Sequence, residues 1–153
     1  MKKYNVIVIF DKTEKKLLMC KRVKDPFKGK YNFVGGKVEQ NETEDEAAYR
    51  ELYEETGISK KDITLCRVLD FKYYLSNVEL EVYCGKIKND VTLREEVNKL
   101  IWVDRTENFC DSERFAGNTN IEHIIRECEF YRDRYLIQIK IFNVLLFEKF
   151  FQK

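Results

Sequence analysis

Residues 43 to 57 specify both ends of one helix, and that constrains this 153-residue chain more than any other stretch. Thr43 followed three residues later by Glu46 is a capping box, in which hydroxyl and carboxylate satisfy backbone N–H groups left without partners in the first turn. Glu44, Asp45 and Glu46 put negative charge at the positive end of the helix dipole. Gly57 stands where a left-handed C-terminal cap belongs, a conformation glycine adopts without steric cost. The spacing predicts a helix over about residues 44 to 56. On it, at about 100° per residue, Glu51, Glu54 and Glu55 share one arc and are expected to converge on one small volume. Like charges so placed repel and raise each other's pKa unless a cation fills the gap. Arg50 lies on the flank of the arc, where it can brace a glutamate through a bidentate pair. Hard oxygen ligands that leave room for water and phosphate are the set Mg²⁺ takes in phosphoryl chemistry. The bland alternative is a solvated acidic face.

Around the helix the chain reads as strands. Tyr4 to Phe10 is a β-branched run with the length of a buried strand, and Asp11 to Glu14 is a polar turn into Leu17–Cys20, which predicts a hairpin. Asp25 to Gly29 breaks the chain at its single proline. Tyr31 to Val38 returns as a short strand interrupted by Gly35 and Gly36, which implies a bulge or a close backbone approach. Ile63 to Leu75 and Val78 to Ile87 predict two long strands joined at Ser76 and Asn77, and Leu100 to Val103 another. Ile121, Ile124, Ile125 and Cys128 recur at helical spacing and mark a second amphipathic helix.

The segment around the first helix carries a longer pattern. Gly36, Glu42, Arg50, Glu51, Leu52, Glu54, Glu55, Gly57 and Ile58 fill every fixed position of Gx5Ex7REUxEExGU, with U an aliphatic residue. The chain therefore resembles the Nudix (MutT-like) hydrolases, over about Asn5 to Val103. The resemblance implies an α/β (α+β) fold in which a mixed twisted β-sheet is sandwiched between α-helices, an αβα sandwich with the box as loop–helix–loop. It implies hydrolysis of a nucleoside diphosphate linked to a further group, with Mg²⁺ as cofactor and Mn²⁺ as a substitute. By the same resemblance Glu51, Glu54 and Glu55 are metal carboxylates and the Gly36 carbonyl is a further ligand. Arg50 and Glu42 orient the helix and its loop, and Gly57 closes the motif. Glu54 or Glu55 ranks first as general base. Glu95 and Glu96 match a place where relatives carry an additional acid, Glu96 being the further candidate ligand.

The segment Gly29 to Val38 resembles the Gly-x-Trp-Asn-x-x-Gly-Gly-Lys lead-in of the oxidised-purine nucleoside triphosphatases of that family. Tyr31 stands at the tryptophan, where an aromatic can stack on a base, and Asn32 aligns with an asparagine that reads a purine edge. Phe33 replaces the small residue of the mammalian-type members. Asp111, in Asn108 to Ser112, falls where relatives place a base-recognition loop, and Lys21, Arg22 and Lys37 are candidate phosphate partners, with surface solvation as the bland alternative. His123 is read as a surface or packing residue. The expected activity is a Mg²⁺-dependent conversion of a nucleoside triphosphate, such as 8-oxo-dGTP, to monophosphate and pyrophosphate. The alternatives are ADP-ribose hydrolysis and a non-catalytic nucleotide-binding module.

Charge supports a small anionic ligand rather than a polymer. With 28 Lys+Arg against 27 Asp+Glu the net charge is +1, which disfavours a stable nucleic-acid complex. That balance conceals a split: residues 39–55 hold eight acids and one base, 1 − 8 = −7, leaving +8 elsewhere. The five cysteines form no CxxC pair and read as reduced core residues. With no secretory signal at the start, the expected location is cytoplasmic. Residues 1–134 are expected to form a single domain. The apolar stretch 135–153 is expected to pack on it or on a second subunit of a homodimer, with an interfacial membrane anchor as the alternative and no membrane span.

Overall fold

The computed structural model describes residues 1–131, and the apolar extension from Tyr135 onward lies outside the described residues. Six strands form one sheet: β1 (Lys2–Phe10), β2 (Lys16–Lys21), β3 (Tyr31–Asn32), β4 (Cys66–Tyr73), β5 (Val78–Lys86) and β6 (Lys99–Asp104). Helix α1 spans Glu44–Thr56, and a second helix, α2, is described over 120–131. The sheet runs β3-β2-β1-β5-β4, with β6 paired to β2. It is mixed, because β1 and β5 are parallel from Lys2↔Val78 to Phe10↔Lys86 while the other strand pairs are antiparallel.

Strand periodicity explains the layers. Along β1, Ile7 and Ile9 point to one face and Val8 and Phe10 to the other, since successive side chains alternate. The first pair packs with Ala48, Leu52 and Ile58 from α1 and its exit. The second packs with Ile121, Ile124, Ile125 and Cys128 from α2. All four β1 side chains are fully buried, and each contributes about 1.5–3 kcal/mol by leaving water. One strand thus anchors both helices, which gives the expected sandwich.

Helix α1 has the predicted boundaries. Thr43 and Glu46 form the reciprocal capping box, and Gly57 sits in the left-handed region at φ 77°, its N–H donating to the Tyr53 carbonyl. Two strand expectations change. The strand placed at Ile63 begins at Cys66, with Ile63 making only an isolated bridge to Ile87, and Tyr74–Ser76 is a 3-10 turn closed by Asn77 at φ 55°. The segment 31–38 is not one strand but a crossing. It pairs with β2 at Tyr31 and Asn32, then leaves for β1 through Ile7↔Val34 and Tyr4↔Lys37. The reason is an open edge: β2 pairs with β1 only at Ile9↔Leu18 and Phe10↔Leu17, so the first half of β1 accepts another partner there. Cys20, Cys84 and Cys128 are core residues as expected, whereas Cys66 is half-buried and Cys110 exposed, which corrects the expectation for those two.

Candidate active site

The crossing segment brings Gly35 and Gly36 against α1. A Cβ on Gly36 would lie 2.4 Å from the Glu51 carboxylate, so any side chain there displaces Glu51. Gly35 has φ 137°, and a Cβ on it would meet the Asn5 carbonyl oxygen at 2.4 Å. Both glycines therefore answer to close approach. The Gly35 N–H donates to Glu55 Oε2 at 2.8 Å, and the Gly36 carbonyl accepts from the Asn5 N–H at 2.8 Å.

Arg50 organises the acidic side. Its Nε and Nη2 donate to Glu42 Oε2 and Oε1 at 2.9 and 2.7 Å, a bidentate pair made with the loop glutamate. Nη1 donates to Glu51 Oε1 at 2.8 Å and to Glu54 Oε2 at 2.9 Å, and Nη2 also reaches the Lys37 carbonyl at 3.0 Å. One guanidinium thus ties the loop before the helix to two helical glutamates. The Arg50 hydrogen bond holds the Glu42 carboxyl down at about 2, helped by the Glu39 N–H.

Burial acts the other way on the inner glutamates. It pushes the Glu51 carboxyl above its ordinary range against the pull of Arg50. It raises Glu55 to about 7, with the negative charges of Glu51 and Glu96 adding to the effect and the Gly35 N–H opposing it.

Glu51 and Glu54 face Arg50, while Glu55 faces Gly35. Among the described residues, no three acidic, histidine or cysteine side chains stand close enough together to enclose an ion. The physical reason is local: the Arg50 guanidinium occupies the space between Glu51 and Glu54, and Glu55 turns toward Gly35. The donor set nevertheless has the chemistry of a hard divalent cation site. It offers carboxylate oxygens, two of them on groups raised by burial and mutual repulsion, and a Gly36 carbonyl with a second lone pair.

The residues assigned to substrate lie along the same crossing. Tyr31 is half-buried, with Lys21 Nζ and Arg114 Cζ each 5.8 Å from its ring centre. Asn32 Oδ1 accepts the Phe33 N–H at 2.9 Å, so its amide N–H₂ is the part left for a ligand. Phe33 itself is buried in the core on the α2 side. The turn holding Asp111 comes beside Tyr31, because the Tyr31 N–H donates to the Arg114 carbonyl. Asp111 Oδ1 is already used by the Glu113 N–H at 3.0 Å. Arg22 donates to the Pro26 carbonyl at 2.7 Å, and Lys37 faces Glu39 at 3.4 Å. The Glu96 charge adds to the upward push on Glu55, and Glu95 is spent on the Leu100 N–H. His123 is exposed on α2, its ring 5.8 Å from that of Phe71. Sequence reasoning passed over Asn5 and Arg114. The signal for Asn5 was present: a short polar residue at the head of an otherwise β-branched strand.

The NUDIX domain family model matches residues 1–128. The chain belongs to the NUDIX domain family. Its curated relatives include an "8-oxo-dGTP diphosphatase" of Proteus vulgaris, 43% identical over 63 residues, which are 41% of this chain and 54% of the relative. An "ADP-ribose pyrophosphatase" of Methanocaldococcus jannaschii is 48% identical over 48 residues, 31% of this chain and 28% of that protein. The matched segments thus span about half of the first relative's length and less of the second's. Among solved structures, the C. elegans Ap4A hydrolase binary complex superposes with a TM-score of 0.67 at 20% identity, covering 85% of this chain and 98% of that one. That likeness establishes a shared Nudix fold. Among the described residues no helix is long and apolar enough to cross a membrane.

Proposed function

We propose that this Nudix domain is a Mg²⁺-dependent pyrophosphohydrolase that cleaves a nucleoside triphosphate to monophosphate and pyrophosphate, with an oxidised purine such as 8-oxo-dGTP as the candidate substrate. The observation that carries the reading is Glu55, a half-buried carboxyl raised to about 7 beside Glu51 and pinned at one oxygen by the Gly35 N–H. A proton acceptor is most effective when its pKa lies near the working pH. Glu51, Glu54, Glu55 and the Gly36 carbonyl would hold the cation, which would neutralise phosphate oxygens and acidify a water. With Oε2 on the Gly35 N–H, Glu55 has Oε1 free, and that oxygen would either complete the cation site or accept the proton of the attacking water, Glu54 being the base in the first case. Arg50 keeps Glu51 and Glu54 on one side of the helix and ties them to the loop through Glu42. Tyr31 offers an aromatic ring for the base, and Lys21 and Arg114 near it favour an anionic ligand. The resemblance to the Proteus vulgaris protein supports the base assignment.

The test is a substrate panel of (d)NTPs, 8-oxo-dGTP, ADP-ribose, NAD and dinucleoside polyphosphates, compared by kcat/KM with Mg²⁺ and with Mn²⁺. Preference for 8-oxo-dGTP is expected, and a preference for ADP-ribose would move the assignment to nucleoside-diphosphate sugars. Glu54→Gln should abolish turnover and leave the fold intact. Retained turnover in that variant would defeat the metal assignment, and no turnover of any panel member would leave a non-catalytic nucleotide-binding module.

A further inference from the structure

The buried polar side chains among the described residues are those of Asn5, Thr56 and Glu81. Thr56 is satisfied, its hydroxyl donating to the Leu52 carbonyl and accepting the Ile58 N–H. Asn5, 2% exposed, and Glu81, 0% exposed, each leave one atom without a partner: Asn5 Nδ2, a donor, and Glu81 Oε2, an acceptor. A buried polar atom so placed costs about 1–3 kcal/mol, so a complementary pair of them calls for an account.

The two residues are direct partners in the parallel β1–β5 register, Asn5↔Glu81. Paired strands lie about 4.8 Å apart and opposed side chains share a face, so the donor and the acceptor occupy the same small space on the α1 side. The Asn5 amide cannot turn over freely. Its Oδ1 accepts the Gly36 N–H at 3.2 Å, which requires an oxygen there and directs Nδ2 elsewhere. Asn5 therefore grips Gly36 twice, by side chain and by the backbone bond to the Gly36 carbonyl. Glu81 Oε1 faces Arg67 at 3.3 Å and Lys3 at 3.7 Å, leaving Oε2 for Asn5.

We propose that Glu81 is a positioning residue for the Gly35–Gly36 turn: its Oε2 accepts from Asn5 Nδ2 through one shared water, and so keeps the Asn5 amide oxygen on the Gly36 N–H. The relay sets where the Gly36 carbonyl points and where the Gly35 N–H meets Glu55. Its importance for catalysis rests on the function proposed above; the positioning itself does not, and it is tested without metal.

The experiment is amide hydrogen exchange on the full chain in EDTA, reading Gly36 against Val82 in β5, which reports general stability. Asn5→Asp keeps an acceptor for Gly36 but sets a carboxylate against Glu81, and the Gly36-to-Val82 protection ratio should fall about tenfold. The double variant Asn5→Asp with Glu81→Gln reverses donor and acceptor: the amide N–H₂ of the new glutamine can donate to the new aspartate through that water, and the glutamine oxygen can face Arg67 and Lys3. The ratio should return to within about threefold of the parent. If Asn5→Asp fails to fold, recovery of the fold in the double variant reads the same way. An unchanged ratio in Asn5→Asp, or no recovery in the double variant, would overturn the relay and leave Glu81 as a counter-charge for Arg67 and Lys3 alone. Binding of Mn²⁺, followed by the loss of the free-ion electron paramagnetic resonance signal, should weaken and recover in the same order. Failure of the parent to hydrolyse any panel member would defeat the proposed function while the exchange result stood.

Discussion

Replacing Glu55 by glutamine should make the metal-free protein more stable, and only above a defined pH. In the folded chain the Glu55 carboxyl ionises at about 7, against an ordinary 4.5, chiefly because burial disfavours its charged form. Between those values the folded state keeps a proton that the unfolded state has released, so stability falls as pH rises through the interval and stays lower above 7. The gap corresponds to at most about 3 kcal/mol. Glutamine keeps an oxygen for the Gly35 N–H and never ionises, so it escapes the loss. Urea denaturation in EDTA at pH 4.5, 6, 7 and 8 should show the two proteins diverging, with Glu55→Gln ahead by about 2–3 kcal/mol at pH 8. Saturating Mg²⁺ should close or invert that gap, because a cation that binds the folded parent stabilises it in proportion to its affinity. Curves that stay parallel, within about 0.5 kcal/mol across the range, would refute the burial account of Glu55.

Two glycine substitutions should separate stability from activity. In Gly35→Ala the new methyl meets backbone that cannot yield, at a positive φ, so a loss of about 2–3 kcal/mol in urea titration is expected. In Gly36→Ala it meets only the end of the Glu51 side chain, so stability should change by less than about 1 kcal/mol while kcat/KM falls at least about tenfold. Arg50→Lys replaces a fork by a point charge and frees the Glu42 carboxyl to return toward its ordinary value. The parent's Glu42 contribution is present above pH 4.5 and lost as pH falls through about 2, so the variant should show a smaller stability loss on acidification over that window.

What was legible in the sequence was local. The capping box, Gly57 and the 3.6-residue period of α2 each depend on residues within a few positions of one another, and the structure has them where the pattern put them. The hairpin between β1 and β2 is local too. The crossing of 31–38 depends on how far β2 runs along β1, a pairing that no window around Gly35 contains. Arg50 illustrates the same limit within the site. That it can brace a glutamate was readable from its place on the helix, but which one is a competition among Glu42, Glu51 and Glu54 for one guanidinium, decided by rotamers rather than by spacing. Asn5 acquires its place only through partners at Gly36 and Glu81.

The alternation of β1 between its two helices also sets which changes the chain can survive. Ile7 and Ile9 serve one core and Val8 and Phe10 the other, with Asn5 in step with the first set. A single inserted or deleted residue in β1 would exchange the two faces, unseat both helices and carry Asn5 out from under Gly36 in one event. Point changes at exposed positions such as Cys110 or Asp111 disturb none of that, whereas Phe109 and Phe115 of the same turn belong to the α2-side core. Exposed positions at the rim of the sheet can therefore change one at a time, while the length of the central strand cannot.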